Sequence, residues 1–152
     1  MAANPVSYAA AVARSTLPPV PASYLAKARQ NLAAAEAARD AGQFDASASR
    51  AYYGAFQAAV AALWVEGIRP RPDLAGTLPH SAVQSEWSGR LVYRRKLYPP
   101  ELRSTLQVLY LLRITADYRV DQVTEREARS ACRISRQFVQ MVAAKLEPNG
   151  TE

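Results

Sequence analysis

The 152-residue chain has one cysteine and one histidine. Cys132 has no partner for an internal disulfide, which fits a reducing compartment. One histidine and one cysteine cannot furnish a tetrahedral zinc site, and no set of carboxylates is spaced for a di-metal centre, so no metal and no cofactor are expected. No apolar run reaches the roughly 18 residues that span a bilayer. The N-terminus lacks a basic stretch followed by an apolar core, so no signal peptide and a cytoplasmic location are expected. Strand-like alternation, hairpin turn signals and internal repeats are missing, as are a glycine-rich phosphate loop and a serine elbow. The common enzyme signatures are therefore excluded.

What is there is helical. With 49% hydrophobic residues the chain can bury the core of a single domain, and a net charge of +6 with a pI near 9.8 suits an anionic partner. Residues 1–22, with Pro5 and the cluster Pro18, Pro19 and Pro21, read as an N-terminal arm. Helix-forming residues run from Ser23 to Ala41, with Gly42 at the cap position. A second helix runs from an Asp45 cap through Trp64 to Gly67. A loop over Ile68 to Leu78 precedes a short helix at Pro79 or His80. Pro99-Pro100-Glu101 reads as the first turn of a helix reaching Tyr118. Thr124-Glu125-Arg126-Glu127 reads as a capping box opening a helix to Leu146. The expected fold is an all-α, up-and-down bundle of four or five helices over residues 23–147, with a tail at 148–152.

The second helix carries the most informative segment, Ala48 to Ala59. Arg50, Tyr53 and Gln57 share one stripe, while Tyr52, Phe56, Ala59, Val60 and Leu63 form the apolar face beside it. Arg113 and Asp117 lie one turn apart and can pair. Arg50 has two readings: a buried arginine bound to Asp117 with tyrosine hydroxyls as further partners, or a guanidinium that holds a phosphate. The basic run Arg90 to Lys96, which includes Arg94 and Arg95, is either a solvated turn or a phosphate contact whose Tyr93 stacks on a base. Trp64 and Trp87 read as core or interface positions.

The ordered set Tyr24 to Ala28, Ser49 to Phe56, His80, and Leu109 to Tyr118 ending in Arg113-Ile114-Thr115-Ala116-Asp117-Tyr118 resembles the HEPN domains of prokaryotes, from about Ser23 to Val142. The resemblance implies a four- or five-helix bundle, a homodimer with polar motifs near its cleft, and a toxin–antitoxin or defence-type module with a nucleotidyltransferase partner. It also implies RNA as target or ligand and, in many members, metal-independent RNA cleavage by an arginine and a following histidine with four to six residues between them. Here Arg50 matches the arginine, but Gln57 stands where a histidine would close the motif, and an amide cannot shuttle a proton. A ribonuclease built on this chain would use Arg50 on the phosphate, His80 as acid or base and Tyr53 to orient them. Arg113, Asp117, Tyr118, Tyr52, Gln57, Arg94 and Arg95 are the expected binding residues. The alternative is a non-catalytic nucleotide- or protein-binding scaffold that dimerises.

Overall fold

The computed structural model describes residues 7–148. Pro5 and all but the first residue of the 148–152 tail lie outside them. Among the described residues six α-helices form: α1 (Tyr8–Arg14), α2 (Pro19–Asp40), α3 (Phe44–Val65), α4 (His80–Glu86), α5 (Thr105–Tyr118) and α6 (Glu125–Leu146). A π-helical turn (Trp87–Arg94) and a 3-10 turn (Pro100–Leu102) lie between α4 and α5. Among the described residues there is no strand, and no helix is long and apolar enough to cross a membrane. The fold is the all-α bundle expected from the sequence.

The prolines do not end helical structure where the arm was expected. Ser7 caps α1 by accepting from the Ala10 amide at 3.1 Å, and α2 starts at Pro19, four residues before the expected Ser23. The first amides of a helix have no intrahelical acceptor, so Pro19 loses nothing there and its fixed φ already suits the first turn. Asp45 also departs from its expected role. It lies inside the first turn of α3, behind an N-cap at Gln43, and its Oδ1 accepts from the Val123 amide at 2.8 Å. That bond ties α3 to the loop entering α6.

Small residues let α2 and α3 approach closely. Ala28, Leu32 and Ala35 meet Ala51, Ala55 and Ala58 in the core, and a Cβ on Gly54 would lie 3.2 Å from Ser135 Oγ and 3.3 Å from the Ala28 carbonyl oxygen. A methyl group there would press on both, so glycine suits that approach. Buried hydroxyls satisfy carbonyls across the seams: Ser47 Oγ donates to Ala35 at 2.8 Å and Ser135 Oγ to Ala51 at 2.7 Å. Thr124 and Glu127 form the expected capping box, with bonds of 3.1 and 3.0 Å.

Between α4 and α5 the chain is less regular than its sequence suggests. The helix begun at His80 runs on through Gly89 with a wider turn, and the Arg95 amide donates to the Arg90 carbonyl at 2.9 Å. Buried Trp87 packs 4.5 Å from Phe138 and 4.7 Å from Tyr98, and its indole N–H donates to the Leu102 carbonyl at 2.9 Å. Leu102 O is thereby taken by a side chain. The Pro99–Glu101 start consequently closes as a 3-10 turn, and α5 begins only at Thr105. Trp64 is a partly exposed platform for the Arg69 guanidinium, 4.4 Å above its ring.

Candidate functional site

The chain's one histidine is carried back over α3. Gly67 closes the turn after α3 at φ 75°, the loop returns along the bundle, and Pro79 caps α4 so that His80 is its first residue. The imidazole lies 4.9 Å from Phe56, 5.5 Å from Tyr52, 5.8 Å from Tyr110 and 6.1 Å from Tyr53, centroid to centroid. Its Nδ1 is 2.7 Å from Tyr52 Oη, and Gln84, one turn along α4, donates to the same oxygen at 3.4 Å. Tyr52 is fully buried. If the imidazole also donated, the buried phenol would keep a proton with no acceptor, so Tyr52 donates to Nδ1 and the ring carries its proton on Nε2. Burial pushes the Tyr52 hydroxyl up to about 12, which keeps it protonated. Burial, and secondarily the Arg113 charge, holds His80 below its ordinary 6.5, so the ring is neutral at pH 7.

Arg113 supplies the positive charge on α5. Its Nε donates to Asp117 Oδ2 at 3.1 Å and its Nη2 to Tyr118 Oη at 3.4 Å. The guanidinium carbon stands 5.3 Å from the Tyr53 ring, 5.6 Å from Tyr118 and 6.0 Å from both Tyr52 and Tyr110. Its side chain is 12% exposed, and Ser49 on α3 gives Asp117 a second donor at 3.3 Å. His80 and Arg113 therefore lie against the same three tyrosines, 52, 53 and 110. The site joins a permanent cation to a neutral imidazole within an aromatic wall.

Arg50 is not part of this pair. It is exposed and donates through Nη1 to Asn31 Oδ1 at 3.3 Å, while Asn31 Nδ2 donates to Gln57 Oε1 at 2.8 Å. Arg50 and Gln57 thus meet at a residue of α2, and Asp117 takes Arg113 and Ser49 in place of the Arg50 pairing considered from sequence. Tyr53, from the same stripe, does face His80 and Arg113. Arg94 and Arg95 sit at the end of the π-helical turn, both exposed, and Arg95 Nη1 donates to the Glu66 carbonyl at 3.2 Å.

Sequence reasoning missed Asn31, Gln84 and the aromatic part of Tyr110. The last two had a signal in the helical period: Tyr110 is three residues before Arg113 and Gln84 four after His80, so each shares a face with its partner. Asn31 had none, because its role depends on how α2 packs on α3. No group of three or more His, Cys, Asp or Glu residues able to hold a metal occurs among the described residues. The acid–base and electrostatic repertoire of the cluster is that of Arg113, His80, Asp117 and the tyrosines. A family model described as HEPN domain matches residues 22–146. No curated protein matches the chain significantly.

Proposed function

The chain belongs to the HEPN domain family, and from that premise we propose that it binds RNA, with one phosphodiester held between Arg113 and His80. The observation that carries this reading is the packing of both residues on one tyrosine wall. Arg113 spends Nε and Nη2 on Asp117 and Tyr118, which leaves Nη1 uncommitted to either and suited to a phosphate oxygen. His80, with its proton on Nε2, adds a neutral donor. Tyr118 is 68% exposed and offers a face on which a base stacks. Exposed Arg50 adds an outer positive charge.

A second reading, metal-independent cleavage, is favoured by the neutrality of His80. In that reading the ring proton moves to Nδ1 and donates to Tyr52, and the Gln84 amide turns its oxygen to accept the phenol proton. Nε2 then takes the proton of the attacking 2′-hydroxyl, and the O2′–P bond forms as the P–O5′ bond breaks. The imidazolium returns that proton to the departing 5′-oxygen, and Arg113 stabilises the charge that develops on the non-bridging phosphate oxygens. Labelled RNA incubated in EDTA with wild-type protein and with His80→Asn separates the readings. Cleavage lost in the variant supports catalysis, and intact RNA with retained binding supports the binding reading. Affinity that does not fall with salt would sink both, because phosphate contacts release counterions.

Homodimerisation belongs to the proposal. Val108 and Leu111 lie along one stripe of α5 and are 44% and 66% exposed. A second copy covering that stripe would bring two phosphate sites together. Action in the cytoplasm, within a toxin–antitoxin or defence-type module beside a nucleotidyltransferase, is supported by family membership alone. Co-purification with the product of an adjacent nucleotidyltransferase gene tests it.

A further inference from the structure

A concave site lies where the π-helical turn meets the 3-10 turn, and it shares no lining residue with the His80–Arg113 cluster. The cavity has a volume of about 530 Å³, within the range of about 300–1,000 Å³ typical of small-molecule sites. Val92, Leu97, Tyr98 and Pro99 give it an apolar floor, and Lys96 and Arg103 are the charged residues of its lining. Tyr93 is 63% exposed, and the Arg103 guanidinium covers its ring at 4.8 Å. Both cations are exposed.

The backbone around this cavity departs from regular structure twice. Trp87–Arg94 is π-helical, a form that recurs at functional sites. Lys96 has φ 52°, the one positive φ outside glycine among the described residues. A β-carbon is disfavoured there and glycine is the easy choice. A lysine in that conformation sets a long cationic side chain at the rim of an apolar pocket. The pattern combines an accessible aromatic face already backed by a cation, an apolar floor and two positive charges without a carboxylate in the lining.

We propose that this pocket binds a nucleotide unit, its base stacked on Tyr93 and its phosphate held by Lys96 and Arg103. A flat ring satisfies the aromatic face and the apolar floor, and the phosphate satisfies the two cations. The same unit is available as a free mononucleotide or as one residue of a single strand.

The test is fluorescence anisotropy of etheno-AMP, with etheno-adenosine and inorganic phosphate as part-ligands and a fluorescein-labelled ten-residue oligoadenylate as the strand. Saturable binding of etheno-AMP or of the oligonucleotide is expected. It should weaken roughly tenfold in Arg103→Gln and in Tyr93→Ala, the scale of one charged or stacking contact. Lys96→Gly should weaken binding while melting no lower than wild type, since glycine accepts the backbone that lysine holds under strain. Etheno-AMP binding with its affinity lost on removing the phosphate identifies a free nucleotide. Oligonucleotide binding without etheno-AMP binding identifies a strand in this pocket only when it weakens in Tyr93→Ala and Arg103→Gln, because the Arg113 site also takes a strand. Arg113→Gln should leave etheno-AMP affinity unchanged, so this proposal and the RNA reading fail separately. The proposal is overturned if neither probe saturates, if Tyr93→Ala and Arg103→Gln bind as wild type, if Arg113→Gln abolishes etheno-AMP binding, or if inorganic phosphate binds as tightly as etheno-AMP.

Discussion

Replacing Tyr52 by phenylalanine removes one oxygen from the centre of the site and leaves the ring packing intact. The hydroxyl lies 2.7 Å from His80 Nδ1 and 3.4 Å from Gln84 Nε2, on a residue with no exposed surface. Losing a net hydrogen bond costs about 1 kcal/mol, and leaving the half-buried Nδ1 without its donor adds to that, so about 1.5 kcal/mol is expected. For a chain of this length that corresponds to a melting temperature lower by roughly 5 °C. The variant also changes the histidine. Tyr52 donates to the neutral imidazole and so favours the unprotonated form. Without it the His80 pKa rises from its depressed value towards 6.5. Circular dichroism melts measure the first effect. Proton NMR titration measures the second, on the one histidine resonance the chain provides. A melting temperature within about 1 °C of wild type, together with an unmoved or lowered His80 pKa, would refute the assigned donor direction and the site built on it.

Stability should also respond to acid through His80. The folded protein holds this ring below 6.5 while the unfolded chain titrates near 6.5. Between those values the unfolded state binds the extra proton, so the contribution is complete above about 6.5 and is lost as pH falls through the folded value. Urea unfolding should show a steeper decline below that pH for wild type than for His80→Gln, and equal slopes would contradict the coupling. Gly54→Ala gains about 1 kcal/mol of helix propensity but presses a methyl group against the Ala28 and Leu32 backbone and Ser135. Overpacking of this kind costs about 1–3 kcal/mol, so denaturant titration should show a net loss near 1 kcal/mol, and a stabilised variant would mean that α2 can retreat. Leu111→Glu places a charge in the exposed stripe of α5, and sedimentation should show a dimer for wild type and a monomer for the variant. Unchanged association would move the interface elsewhere.

The fold was legible because its signals are local. The capping box at Thr124 and Glu127, the glycine after α3 and the proline before His80 each act within a few residues, and the structure uses all three. The misplacements arose where a distant group competes for a backbone atom. The Trp87 indole takes the Leu102 carbonyl and delays α5, and the Val123 amide takes the Asp45 carboxylate out of its capping role. The site was legible in part. Arg113, Asp117 and Tyr118 pair within one or two turns of α5, so spacing announces them. Which arginine meets His80 depends on the rotation of α3 against α2 and α5. Helical periodicity put Arg50 and Tyr53 on one stripe, yet Asn31 draws Arg50 to the α2 side while Tyr53 faces Arg113.

That division between the two arginines gives the most direct test. RNA affinity should be measured by anisotropy for wild type, Arg113→Gln and Arg50→Gln at one low and one physiological salt concentration. The account predicts a loss of roughly tenfold or more for Arg113→Gln, as expected for a partly buried charged contact, and a loss of a fewfold at most for exposed Arg50→Gln, shrinking as salt rises. Wild-type affinity in Arg113→Gln, with the larger loss in Arg50→Gln, would contradict it.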